Sequence, residues 1–296
     1  MPSQPIKIFL SGHSGIGKTT ILKKVYENFK YVTIDGYIAQ EIYNNDERIG
    51  FEIKNLQLGT SSLMAHKYKR LSDQYKVEEF SVNVDLLEKE FVPNLTKTTN
   101  AHNVTILCLD EIGRMQNLAR NFINAVDIML SSNKPLLATI VHDDEPWARK
   151  YKDSSKYYII TVTKENRDQL PVLIVAMLKQ AELIATQSLE VQEKILYLFN
   201  LYINNNQIQE LLKLFNHTIP YVANHAVEPT DDVNSYLVHG FHGKYIVNQY
   251  NQCYSCTCDF YSKIPEGKEC SHIQTAWILE SSPPLTAPKL KPTIVA

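Results

Sequence analysis

The chain begins with an apolar run, Ile6 to Leu10 in "IKIFLSG", that stops at a glycine; the next stretch, "GKTTILKKVYENF", repeats its apolar residues at three- and four-residue spacing. The first pattern predicts a buried strand and the second a helix over Lys18 to Phe29, with a glycine loop between them. "YVTIDGY" repeats the run-then-glycine pattern, "NVTILCLDEIG" is an apolar run ended by acids, and "KPLLATIVH" and "KYYIITVT" add two more runs rich in β-branched and aromatic residues. Helical stretches fall between them, among them Gln116 to Leu130. Strands alternating with helices make βαβ units, so the expected fold class is α/β: a parallel sheet with helices on both faces.

After "NRDQLP" the period changes. From Leu170 to about Phe215 apolar residues recur at helical spacing, with "NNN" at 204 to 206 as a break, which predicts two or three helices. "YLVHGFHGKYIVNQYNQCYSC" alternates around a glycine turn and predicts a hairpin; "SHIQTAWILE" predicts a closing helix. The last residues, "SSPPLTAPKLKPTIVA", are proline-rich and aperiodic, as in a disordered tail. The expected organisation is a domain over 1–180, a helical linker over 181–235, a small ββα module over 236–280 and a tail over 281–296.

At 296 residues the chain exceeds a typical domain, which suits two folded parts. Hydrophobic residues at 44% and charged residues at 21% exclude a largely disordered or fibrous chain. The N-terminus has no basic segment followed by a long apolar run, and the most apolar stretch, Pro171 to Leu178, is too short to span a bilayer. The expectation is therefore an intracellular, cytoplasmic protein without a membrane role, with a nuclear address left open.

The first chemical signal is "GHSGIGKT", which fits G-x-x-x-x-G-K-[ST] between a predicted strand and a predicted helix. Over Gly12, His13, Ser14, Gly15, Ile16, Gly17, Lys18, Thr19 and Thr20, backbone N–H groups would cradle phosphates in front of a helix N-terminus. Lys18 would reach the β and γ phosphates, and the Thr19 hydroxyl would ligate magnesium. Downstream, four apolar residues lead to Asp110 and Glu111 at a strand end, a Walker B pattern. There Asp110 would hold the magnesium shell and Glu111 would orient or deprotonate an attacking water.

In order across residues 6 to 174, the segments "GHSGIGKTT", "GYIAQE", "RIGFEI", "YKV", "LDEIGRM", "ATIVH" and "VTKENRDQLP" resemble the small nucleoside-triphosphatases of the thermophile/cancer-related type. The resemblance covers about the first 60% of the chain. It implies a P-loop domain that hydrolyses ATP, GTP and other nucleoside triphosphates with Mg²⁺. Arg114 stands where members of that family usually carry lysine. Arg48 in "RIGF" and Arg167 in "NRD" match family positions and are candidates for stabilising charge on the transferring phosphoryl group, the other reading being surface ion pairs. His142, ending "LATIVH", is open between a water-mediated γ-phosphate contact and a strand-end structural role.

The second signal is Cys256-x-Cys258, eleven intervening residues and then Cys270-x-His272, in a chain with five cysteines. Three thiolates and one imidazole complete a tetrahedral set for structural Zn²⁺, leaving no open position for catalysis. The pattern resembles a SWIM-type zinc finger, C-x-C…C-x-H. Cys253 offers a competing C-x-x-C with Cys256 that the finger pattern leaves out, and Cys108 reads as core. Such fingers are associated with DNA or protein partners. From residue 181 onward there are 7 lysines and no arginine against 11 acidic residues, a net charge of −4, while the first 180 residues stand at +2. Nucleic-acid affinity rests on Lys and Arg neutralising phosphates, so this half favours a protein partner.

The leading expectation is a nucleoside-triphosphate phosphohydrolase that ties hydrolysis to a partner through its finger. The alternatives are a P-loop nucleoside or nucleotide kinase, and a non-catalytic adaptor whose shape is set by bound nucleotide.

Overall fold

The computed structural model describes residues 5–29, 32–224, 227–232, 234–240, 242–250, 253–263 and 269–279. The tail expected over 281–296 lies outside the described residues. The chain divides into two compact units, Pro5–Val175 and the residues from Ala176 onward.

In the first unit the order is β1 (Lys7–Ser11), α1 (Lys18–Glu27), β2 (Ile34–Asn44), β3 (Glu47–Asn55), β4 (Ser61–His66), β5 (Lys76–Val77), β6 (Phe80–Val82), α2 (Val84–Leu86), α3 (Val92–Asn100), β7 (Ile106–Ile112), α4 (Phe122–Ser131), β8 (Leu136–Ile140), α5 (Pro146–Lys152), β9 (Tyr158–Thr161) and α6 (Leu170–Lys179). One nine-stranded sheet runs β5-β6-β4-β3-β2-β7-β8-β1-β9. Its half from β2 to β9 is parallel, as the alternation of apolar runs and helices predicts. The half from β3 to β5 is antiparallel and extends the sheet beyond the expected one.

Both faces of the parallel half are covered. Phe9, Leu107, Leu109, Leu136 and Ala138 join Leu87, Phe91, Leu95, Phe122, Val126 and Met129 in one core. The intervening Ile8, Leu10 and Cys108 are buried as well, with Ile21, Leu22 and Val25 of α1. Such two-sided burial is why these strands read as continuous apolar runs. The buried Lys7 donates from Nζ to the carbonyls of Met129, Ser132 and Lys134 at the end of α4, at 3.0, 3.0 and 2.6 Å. Burial pulls its pKa down to about 7, while carbonyls at a helix C-terminus favour its charged form. The helix expected over Gln116 to Leu130 is two pieces, a 3₁₀ turn at Gln116–Leu118 and α4, because buried Ala119 takes an extended conformation between them.

The second unit continues with α7 (Ala181–Ala185), α8 (Leu189–Asn204), α9 (Ile208–Lys213), α10 (Ile219–Ala223), β10 (Val227–Pro229), β11 (Ser235–Gly240), β12 (Gly243–Tyr250), β13 (Cys253–Cys256) and α11 (Ser271–Leu279). Ser188 caps α8 by accepting from the Val191 N–H at 3.3 Å. The expected hairpin is β11–β12, and β10 and β13 flank it to make a four-stranded antiparallel sheet. α11 packs on α8, α10 and the sheet. Its buried Gln274 accepts from Thr218 Oγ1 at 2.7 Å and donates to the Tyr202 hydroxyl at 2.9 Å, so helices and small sheet share one core. Among the described residues no helix is long and apolar enough to cross a membrane.

Gly36, on β2 beside β7, tests the sheet. Its φ is 143°, and a Cβ there would lie 1.7 Å from the Cys108 carbonyl oxygen. Gly36→Ala is expected to cost about 3 kcal/mol or more, read as a lowered denaturant midpoint. An unchanged midpoint would contradict the close approach of β2 and β7.

Candidate active site

The loop from Gly12 to Gly17 joins β1 to α1. Gly17 takes a φ of 113° in front of the helix, where a side chain would be strained. No side chain caps α1 and its first turn carries no acid, so its leading N–H groups stay open to an anion. Lys18 Nζ donates to the Gly12 and His13 carbonyls at 2.7 and 3.3 Å and lies 3.8 Å from Glu111 Oε1.

Across the loop, β7 carries Asp110 near its C-terminal end. β8 lies between β1 and β7, and this spacing brings three elements to one carboxylate. Thr19 at the start of α1 donates to Asp110 Oδ2 at 2.6 Å, and Thr139 on β8 donates to Oδ1. Burial raises the Asp110 pKa, opposed by these hydroxyls and by Lys18. Burial also raises that of Glu111, again opposed by Lys18, although its side chain is 33% exposed toward the site. The Glu111 carboxylate packs against Gly113, where a Cβ would come within 2.7 Å of Oε2 and 3.0 Å of Gln116 Oε1.

Both candidate arginines reach the loop. Arg48 donates to Ser14 Oγ at 3.2 Å, and Arg167 to the Ile16 carbonyl at 3.4 Å. Arg114 instead bridges Asp143 and Glu145, at 2.8 and 2.5 Å, in the loop after β8. His142 sits 3.3 Å from Ser11 Oγ through Nδ1, edge-on to the His13 ring at 4.4 Å between centroids. Burial, then His13 and Lys152, lower its pKa. Thus Gly12 to Thr20, Asp110, Glu111, Arg48 and Arg167 converge, and a pair of oxygens from Thr19 and Asp110 suits a hard divalent cation. Sequence reasoning missed Thr139 and Gln116. Only Thr139 left a trace, a lone hydroxyl inside the apolar run "LLATIV".

In the second unit, Cys256 ends β13, Cys258 follows in the next turn, Cys270 precedes α11, and His272 lies in its first turn. Their four ligand atoms lie within 4.8 Å of one another. Zn–S bonds of about 2.3 Å place tetrahedral sulfurs about 3.8 Å apart, so the group fits a zinc module. The backbone N–H groups of Cys258 and Tyr261 point at the sulfurs of Cys256 and Cys258, at 3.5 and 3.3 Å. The His272 ring is stacked against those of Tyr221 and Tyr245, with centroids 5.6 and 4.3 Å away. Cys253 is outside the group and Cys108 is buried in the sheet.

A glycine loop between a buried strand and an open helix N-terminus, facing an acidic strand end two strands away, defines a P-loop nucleotide-binding protein. The NTPase family model matches residues 7–175, more than half of the chain, and the chain belongs to that family. It is 32% identical over 168 residues to the nucleoside-triphosphatase THEP1 of Methanocaldococcus jannaschii, a match spanning 56% of this chain and 92% of that one. With THEP1 of Thermotoga maritima it shares 31% identity over 174 residues, 59% of this chain and 96% of the relative. Two solved structures superpose with a TM-score of 0.51 each. The crystal structure of THEP1 from the hyperthermophile Aquifex aeolicus is 27% identical, covering 59% of this chain and 99% of its own. The solution structure of a human cancer-related nucleoside triphosphatase is 28% identical, covering 60% and 98%.

Thr139→Val leaves Asp110 Oδ1 buried without that donor. At pH 7 it is expected to cost about 1–3 kcal/mol in chemical denaturation. The hydroxyl favours the carboxylate, so its removal raises the Asp110 pKa further, and the loss shrinks as pH falls and Asp110 takes up its proton. A loss that grows in acid would refute this bond.

Proposed function

We propose that the first unit hydrolyses nucleoside triphosphates to diphosphate and inorganic phosphate. The observation carrying this reading is the meeting of Lys18, Thr19, Asp110 and Glu111 at one end of the parallel sheet. The P-loop N–H groups and Lys18 bind the phosphate chain, which exchanges the Lys18 contacts to loop carbonyls for phosphate oxygens. Thr19 and Asp110 would hold Mg²⁺, which when bound would offset the charge of the phosphate chain. Glu111 orients a water on the γ phosphorus and draws its proton as the P–O bond to the β phosphate breaks and the diphosphate leaves. Arg48 and Arg167 add positive charge where the equatorial oxygens gather it. The THEP1 relatives support hydrolysis over transfer to a nucleoside or nucleotide, and Glu111, placed for water, speaks against a non-catalytic adaptor.

For the remainder of the chain we propose a helical part, α7 to α10, within the expected 181–235 segment, and a SWIM-type finger, expected over 236–280, whose sheet starts earlier at β10 and which recognises a protein partner. The −4 charge beyond residue 180 supports protein over nucleic acid.

Lys18→Ala is expected to abolish phosphate release from ATP, GTP, CTP and UTP, and Glu111→Gln to retain nucleotide binding while stopping release. Robust hydrolysis by both variants would sink the assignment, and label recovered on an added nucleoside acceptor would make the protein a kinase. The raised carboxyl pKa adds a pH signature. kcat/KM falls as pH drops through a value above the ordinary glutamate range, because the base must be unprotonated and burial raises the Glu111 carboxyl. An acid limb at or below that range would count against Glu111 as base.

Metal analysis of protein purified under reducing conditions is expected to give about one zinc per chain. Cys258→Ser should lose it and render the small sheet sensitive to protease, because metal binding supplies folding energy. Absence of zinc from the wild-type chain would overturn the finger.

A further inference from the structure

Arg48 reaches the phosphate loop because the β2–β3 hairpin carries a bulge. Glu41 pairs with Phe51 and Ile42 with Gly50, but Tyr43 pairs with Arg48, so Ile49 is an extra residue on β3. Directly paired residues project from the same face of a sheet. Unbroken pairing would oppose Arg48 to Asn44 and turn it to the face away from Glu41 and Phe51. The extra residue returns it to their face, the kind of re-aiming that bulges perform beside functional sites.

Four contacts then converge on the guanidinium. Glu41 Oε1 accepts from Nη1 at 2.7 Å, Ser14 Oγ lies 3.2 Å from the same nitrogen, and the rings of Phe51 and Phe80 lie 5.2 and 5.8 Å from Cζ. Glu41 is itself held, its Oε2 accepting from the Tyr43 hydroxyl at 2.9 Å. The aromatic rings give the guanidinium a seat but no in-plane direction. The carboxylate supplies that direction, turning one edge of Arg48 to Glu41 and Ser14.

We propose that Glu41 is a positioning residue for hydrolysis, holding the Arg48 guanidinium against Ser14 of the phosphate loop. This rests on the charge-stabilising role given to Arg48 above. An ion pair this exposed contributes little to stability, so its loss is expected in the rate and not in unfolding.

The test is steady-state hydrolysis of MgATP by the full chain bearing Glu41→Ala, Glu41→Gln, Arg48→Ala and the Glu41→Ala/Arg48→Ala pair. Arg48→Ala is expected to lower kcat about 100-fold or more, as for other cis arginines at phosphoryl groups. Glu41→Ala should lower kcat about tenfold through misplacement of that group, with little change in KM or in the unfolding midpoint. Glu41→Gln, still an acceptor for Arg48, should recover part of the loss. The double variant should be no slower than Arg48→Ala. Wild-type kcat in Glu41→Ala, or the same further loss in the Arg48→Ala background, would overturn the proposal while leaving the role of Arg48 intact. Wild-type kcat in Arg48→Ala would overturn both, with Lys18→Ala still reporting on the P-loop.

Discussion

A carboxylate buried at a strand end and held by two hydroxyls is the constraint around which the first unit is arranged. Asp110 is 3% exposed, and burial without donors would cost several kcal/mol. Its donors come from the start of α1 and from β8, so satisfying this one group fixes where the helix after the P-loop begins relative to two strands. The sheet order suits the same need, because β8 lies beside β7 and Thr139 reaches Asp110 from the side. The two-sided apolar core supplies the stability that this polar arrangement consumes.

The positive charge of the site is arranged with equal economy. The N-terminus of α1 has neither a capping side chain nor an acid in its first turn, and Lys18, Arg48 and Arg167 all bond to atoms of the loop itself. Each cation is therefore already held at the loop, which leaves less side-chain ordering for a bound anion to impose. The acids are placed differently. Asp110 is shielded by hydroxyls, Glu111 opens to the site, and Asp143 and Glu145 are occupied by Arg114. Repulsion of a triphosphate by acids at the rim is thereby reduced.

What could be read from the sequence divides by range of interaction. The P-loop, the acidic strand end and the Cys/His set are local: one turn, one strand end, and two one-residue spacings fix their geometry, so residue type and spacing carry the information. The antiparallel half of the sheet is not local. β3 mixes charged and apolar residues without a continuous apolar run, Glu47 and Arg48 standing side by side and only Phe51 to Lys54 alternating, and its partners are set by register across strands. Arg48 was legible as a candidate by resemblance, but its aim depends on an extra residue, Ile49, that no periodicity announces. The break in the helix at Ala119 is likewise a tertiary effect, since that backbone bends to bury a side chain whose helical propensity is high.

The Cys/His group shows the same division inside the second unit. Ligand spacing identified the four residues, yet their surroundings come from separate segments: Tyr221 from α10, Tyr245 from β12, and the N–H of Tyr261 after the Cys258 turn. Through Gln274, α11 is tied to Thr218 and Tyr202 of the preceding helices. A metal bound at the first turn of α11 would therefore anchor a helix whose remaining turns are core for α8 and α10. Its stabilising effect would extend past the small sheet into those helices, because a fixed α11 is the surface against which they bury their apolar faces.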